Sequence, residues 1–215
     1  MSGLLRGRLE IGLRSVVELA ERCGVRVRRV LEIKLSKETK KANAALAGLG
    51  RTRRILLGDT LLGQFSDNEV VSVLAHEFGH FYHRHLPRMI AIACVISVAG
   101  MRVADIVLRQ SAAALGIGDV AQIATLPLLV LALFVFSLVV MPLTNFVSRL
   151  YEREADNYAL DSTGDAEAFI GAMERLADQN LAHKEPHPLI EFLLHSHPSI
   201  ARRVAFARKW QASQK

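Results

Sequence analysis

The chain has 215 residues, a hydrophobic fraction of 51%, a formal net charge of +6 and two cysteines. That length suits one sizeable core, so a single unit over residues 1–215 is expected rather than two. Cys23 and Cys94 exclude a disulfide framework and read as small buried hydrophobes, while the positive balance comes with no nucleic-acid motif, so anionic headgroups account for it and no nucleic-acid partner is expected.

Arg6, Arg8 and Glu10 interrupt any apolar run after Met1, so no cleavable signal peptide is expected. Leu9, Leu13, Val16, Val17 and Ala20 recur at helical spacing, which predicts a packing helix ending near Cys23-Gly24. Val30 to Leu35 alternates apolar and charged residues, the period of a strand. Lys37, Lys40 and Lys41 make a polar loop, Asn43 to Ala47 reads as a short strand before Gly48-Leu49-Gly50, and Arg53 to Leu57 as another, closed by Gly58-Asp59. Together these predict a small sheet. Asn43, Ala44, Ala45 and Leu46 are candidates for binding an extended peptide by strand addition; an ordinary edge strand guarded by nearby Arg and Lys is the other reading.

The chemistry lies in His76-Glu77-Phe78-Gly79-His80. Ser66-Asp67-Asn68-Glu69 has capping-box spacing, and Val70, Val71, Val73, Leu74 and Ala75 supply the apolar face of a helix that carries the motif. On a helix, residues four apart stand one above the other, so His76 and His80 present two imidazoles to one point, as a tetrahedral metal requires. Glu77 follows the first ligand and is placed to take a proton from water at the open metal position, which is hydrolytic machinery. His83 and His85 share that face poorly and read as interfacial polar residues.

From Val120 to Ser148 no residue is charged, and about 20 apolar residues suffice to cross a hydrocarbon layer as a helix. This run is expected to span a membrane, with Pro127 and Pro142 as points of kinking or termination. Met89 to Met101 is a shorter companion. Arg102 and Asp105 follow it, either paired on one helix face or marking the far interface. Leu108 to Gly118 would then be the turn of a two-span hairpin covering 89–147. Arg84, Arg88, Arg149 and Arg153 lie on the motif side, whereas Arg102 and Arg109 are offset by Asp105 and Asp119, so the motif side is expected to face the cytoplasm.

Asn145 to Leu160 reads as a helix leaving the membrane. Glu152 fits the third protein ligand that two zinc-binding histidines need, or else forms a surface ion pair with Arg149. Asp156, one turn on, could accept a hydrogen bond from the far nitrogen of a ligand histidine; Glu154 reads as solvated. Asp165 to Leu181 is an amphipathic core helix, and His183, His187 and His195 read as loop residues. Pro198-Ser199 starts a helix and fixes where His197 points, so His197 or Arg203 could be aimed at an oxyanion beside the metal.

Four blocks then carry a resemblance: Asn43-Ala44 through Arg54 to Leu62, Val73 to His80, Ser148 to Asp156, and Ser196 to Arg203. In order and spacing they resemble the integral-membrane zinc metallopeptidases that include the type I CAAX prenyl endopeptidases and the bacterial heat-shock membrane proteases, a gluzincin pattern. The resemblance implies one Zn2+ per chain on His76, His80 and Glu152, Glu77 as general base, and Asp156 supporting the site. It also implies that Asn43 and the strand after it contact substrate, and that His197 and Arg203 lie near the reacting carbonyl. Members of that family usually carry further membrane spans ahead of the peptidase part, so an enclosed chamber for prenylated substrates is not expected here.

The expectation is thus an α+β, mostly helical, zincin-like metallopeptidase domain with a small sheet and an inserted transmembrane hairpin. It would sit in the cell (inner) membrane as a multi-pass protein in contact with the lipid bilayer and cleave peptide bonds of membrane or misfolded proteins, its oligomeric state left open. The rival is a catalytically silent zinc-containing membrane scaffold. Glu77 speaks against it, because a structural zinc site needs no base and closes all four positions.

Overall fold

Three short strands, β1 (Arg29–Ile33), β2 (Ala44–Ala47) and β3 (Arg54–Gly58), form one sheet in a computed structural model that describes residues 18–25, 27–39, 41–48, 52–114, 116, 122–179 and 185–214. The order is β1-β3-β2. β1 runs parallel to β3 with Arg29 opposite Arg54, and β2 runs antiparallel to it with Ala44 opposite Leu57, which makes β2 an edge of the sheet. The central strand buries Ile55 and Leu57 fully. Residues 18–22 are helical, while Leu9, Leu13, Val16 and Val17 lie outside the described residues.

A short helix that the strand pattern did not announce, α1 (Asp59–Gln64), follows β3 directly. Its Asp59 carboxylate accepts hydrogen bonds from the backbone N–H of Leu35 (2.8 Å) and Ser36 (3.0 Å), tying the end of β1 to the start of the helical part. The expected capping box then opens α2 (Asp67–Tyr82): the Ser66 hydroxyl accepts from the Glu69 N–H, and the Glu69 carboxylate accepts from the Ser66 N–H at 2.7 Å. Leu74, Ala75 and Phe78 face the core with Leu61, Phe65 and Phe169, so the opposite side of α2 is left for chemistry.

Two long helices follow. α3 (His85–Ala114) continues through the segment expected to turn, because Arg102 and Arg109 both pair with Asp105 along one face (3.6 and 2.8 Å) and Ala112 to Ala114 favour helix. Only 116 is described between Ala114 and 122. After the 3-10 turn Ile123–Thr125, α4 (Leu126–Thr163) carries Pro127 in its first turn, passes through Pro142 without ending, and stops at Gly164 in the left-handed region, φ 68°. His85–Ala114 and Ile123–Thr163 are each long and apolar enough to cross a membrane. Their apolar side chains point outward: Val98 and Val139 are each 72% exposed, and Cys94, expected to be buried, is exposed on the same surface. The pair packs through Gly100, where a Cβ would come within 2.9 Å of the Phe136 ring.

α5 (Ala166–Gln179) places Phe169, Ile170 and Met173 in the core and is started by the Asp165 carboxylate, which accepts from the Ala168 N–H at 2.9 Å. A one-turn-plus helix, α6 (Pro188–Leu194), packs on α4, and α7 (Ile200–Ser213) closes the chain against α5.

Candidate metal centre

α2 and α4 are the most extensively packed pair of helices, and Gly79 is the reason they come so close. A Cβ there would lie 2.9 Å from the Cα and 3.0 Å from the carbonyl oxygen of Ala155, backbone atoms that cannot swing aside. This approach brings the carboxylates of α4 to the imidazoles of α2.

His76 Nε2 and His80 Nε2 lie 3.1 Å apart, and Glu152 reaches each with one oxygen at 3.4 Å, Oε2 to His76 and Oε1 to His80. A tetrahedral ion bound at about 2.0–2.2 Å has ligand-to-ligand edges of about 3.3–3.6 Å. The spacing therefore fits three corners around a cation. Glu152 is only 5% exposed, and its buried Oε2 has no hydrogen-bond donor. A buried carboxylate oxygen without a donor is costly unless a cation answers it. These three residues are one group that could hold a metal ion.

The far nitrogens of both imidazoles are also held. His76 Nδ1 lies 2.9 Å from Asp156, a residue 2% exposed, so the carboxylate accepts the Nδ1 proton and Nε2 is the nitrogen whose lone pair faces the centre once its own proton is released. Arg203 in turn donates from Nε to Asp156 at 2.9 Å and contacts its other oxygen through Nη2. Burial opposes the charge on Arg203, but Asp156, Glu152 and Glu77 outweigh it and keep the guanidinium cationic.

His85 does for His80 what Asp156 does for His76, and it was expected to be an interfacial bystander. It is 1% exposed, with Nδ1 at 2.8 Å from His80 Nδ1 and Nε2 at 2.9 Å from the Glu154 carboxylate. An ionised carboxylate only accepts, so His85 carries its proton on Nε2 and offers Nδ1 as acceptor. His80 must then carry its proton on Nδ1, which frees its Nε2 for the centre. Glu154 is thus engaged rather than freely solvated. Tyr151 stacks on the His85 ring at 4.4 Å and fixes its plane. The only sequence trace of this chain was two more histidines directly after the motif.

Glu77 lies beside the two histidines and is partly buried. Burial pushes its carboxyl above the usual range and Glu152 adds to this, while His76 and His80 pull it down less strongly. For His76, burial disfavours the cation, but Asp156 and Glu152 outweigh it and raise the imidazole to about 9, so cation binding here is expected to release a proton.

His197 reaches the same carboxylate from outside, with Nδ1 3.1 Å from Glu152 Oε1 and the side chain 64% exposed. Arg149 does not pair with Glu152; it donates to the carbonyl oxygens of Glu191 and His195. His183 lies outside the described residues. β2 packs against α2 with Ala44 buried and Asn43 exposed, its carbonyl accepting from the Gly58 N–H at 2.8 Å. The structure thus gathers His76, Glu77, His80, Glu152, Asp156, His197 and Arg203 at one place, while Asn43 to Leu46 lie at the edge of the sheet that packs on α2.

A mostly helical fold with a small sheet, and a His-Glu-x-x-His helix meeting a carboxylate from a second helix, defines a metallopeptidase class. The chain belongs to peptidase family M48, whose model matches residues 12–211. It is 33% identical over 198 residues to the uncharacterized metalloprotease YhfN of Bacillus subtilis, covering 90% of this chain and 46% of that protein. It is 27% identical over 210 residues to CAAX prenyl protease 1 of Saccharomyces cerevisiae, covering 89% and 46%. The crystal structure of S. mikatae Ste24p superposes with a TM-score of 0.76 at 24% identity, over 90% of this chain and 49% of that one, which shows a common fold. The chain spans about half the length of the curated relatives it matches.

Proposed function

We propose that this chain is a membrane-bound, zinc-dependent endopeptidase. The observation that carries it is the set of three inward-facing donors, His76 Nε2, His80 Nε2 and the donorless Glu152 Oε2, beside Glu77. When bound by these residues, zinc would act as a Lewis acid on the peptide carbonyl and make the attacking water more acidic. Glu77 takes the proton of that water and hands it to the departing amine nitrogen. Its raised affinity for a proton suits a group that must both accept and return one. Asp156 holds the His76 ring by its Nδ1 proton, with Arg203 neutralising Asp156. His197, exposed beside Glu152, would donate an N–H to the oxyanion, and Arg203, whose guanidinium also approaches Glu152, would add positive charge.

The substrate would lie extended along β2, the strand at the sheet edge, contacting Asn43 to Leu46. The hairpin over 89–147 would cross the membrane, and Arg84, Arg88, Arg149 and Arg153 favour a cytoplasmic site in the cell (inner) membrane. Membrane and misfolded proteins are the substrate class this placement supports. The test is zinc content and cleavage of an unfolded protein by detergent-purified wild type and Glu152→Gln. The proposal expects about one zinc per chain and cleavage in wild type, with both lost in the variant. A folded wild type that takes up no zinc contradicts the metal assignment.

A further inference from the structure

Short as it is, α6 exposes most of its apolar residues: Leu189, Ile190, Phe192 and Leu194 are each about half exposed or more. Its place along α4 is fixed by strong contacts. The Asn145 side-chain amide donates to the Leu193 carbonyl at 2.7 Å, and the Arg149 guanidinium donates to the carbonyls of Glu191 (3.1 Å) and His195 (2.5 Å). Asn145 and Arg149 bracket Ser148, the last residue of the uncharged run. α6 is therefore bonded to α4 at the level where apolar sequence gives way to charge.

Two further features say what covers this face. The exposed apolar surface adjoins that of α4, whose exposed Phe146 and Leu150 line one cleft with Phe192. Arg153 is exposed at the rim of the cleft between α4 and α6, where lipid phosphates would lie, and Arg202 at the same rim reaches the buried Glu191 carboxylate at 3.3 Å while keeping much of its side chain exposed. Apolar side chains on one side and basic groups at the rim are the signature of a segment lying in the plane of a bilayer surface.

We infer that α6 is an interfacial anchor, lying in the headgroup layer of the lipid bilayer with Leu189, Ile190, Phe192 and Leu194 entering the acyl boundary. This rests on the reading of α4 as a span. His195 ends α6 and His197 follows two residues later against Glu152, so the anchor sets the height of the loop that touches the metal centre. Glu152 stands four residues beyond Ser148, a rise of about 6 Å along the helix. The centre is thereby set to reach peptide bonds close to the membrane surface.

The test uses the full chain in phosphatidylcholine–phosphatidylglycerol vesicles, with a single tryptophan at Phe192→Trp or Leu189→Trp, each combined with Trp210→Phe, and Val139→Trp as the span reporter. Bromine is placed on the acyl chains either near the headgroup or near the chain end. The inference expects both α6 reporters to lose emission mainly to shallow bromine and the Val139 reporter to deep bromine. Quenching at Val139 with none at 189 or 192, even with blue-shifted emission, overturns the anchor in favour of a protein covering while leaving the span intact. No quenching at any of the three removes the span, and the anchor with it.

Discussion

His85 Nδ1 lies 2.8 Å from His80 Nδ1, and because Glu154 occupies the other side of the His85 ring, that contact fixes which nitrogen of His80 is free to bind a cation. His85→Ala removes the acceptor, and zinc affinity is expected to fall about 10- to 100-fold, read by competition with a chelating dye. Glu154→Gln, which can still accept a proton from His85, should lose much less. Equal affinities in wild type and His85→Ala would show that His80 needs no such partner.

Gly79 sets the distance between α2 and α4. Gly79→Ala forces a methyl against the Ala155 backbone, so overpacking of about 1–3 kcal/mol is expected together with weaker zinc binding, since Glu152 moves away with α4. Thermal unfolding and zinc titration on one preparation check both effects. A stable variant with unchanged zinc affinity would mean that the helices can separate without disturbing the ligands.

Glu69 predicts an acid limb of stability. Burial opposes its charge, but the Ser66 N–H and Arg175 outweigh burial and hold the carboxyl below its ordinary value of 4.5. The folded value is the lower one, so the stabilisation is complete above about 4.5 and is lost as pH falls through the folded value. Glu69→Gln, which still accepts from the Ser66 N–H, should flatten this limb, whereas Ser66→Ala, which removes the cap, should cost about 1 kcal/mol at neutral pH. Denaturant melts across acid pH measure both.

His76 predicts the pH dependence of metal uptake. With its imidazole raised to about 9, zinc competes with a proton throughout the neutral range. Apparent affinity should rise about tenfold per pH unit between pH 6 and 8, with about one proton released per zinc, measured by calorimetry in buffers of different ionisation enthalpy.

The parts of the site that were legible in the sequence are those built by spacing along one helix. His76 and His80 on α2, and Glu152 and Asp156 on α4, each stand one turn apart, and the capping box marked where α2 begins. Contacts that join distant segments left no such trace. Glu154 meets His85 across 69 residues, and nothing local distinguishes that carboxylate from a solvated one. The end of α3 is hidden for a related reason: Arg102 and Asp105 read either as a pair on one face, as found, or as an interface, and both readings end the span before Leu108, whereas the further pairing of Arg109 with Asp105 accompanies a helix that continues to Ala114. α1 was hidden because its six residues are too few to show a period.

The most direct measurement is cleavage of an unfolded protein by wild type and Glu77→Gln, with zinc determined on both. The account predicts that both hold about one zinc per chain while the variant loses about 10²- to 10⁴-fold in rate. Equal cleavage by the two proteins, or no cleavage by a zinc-loaded wild type, would contradict it, the second result favouring a silent zinc-containing scaffold.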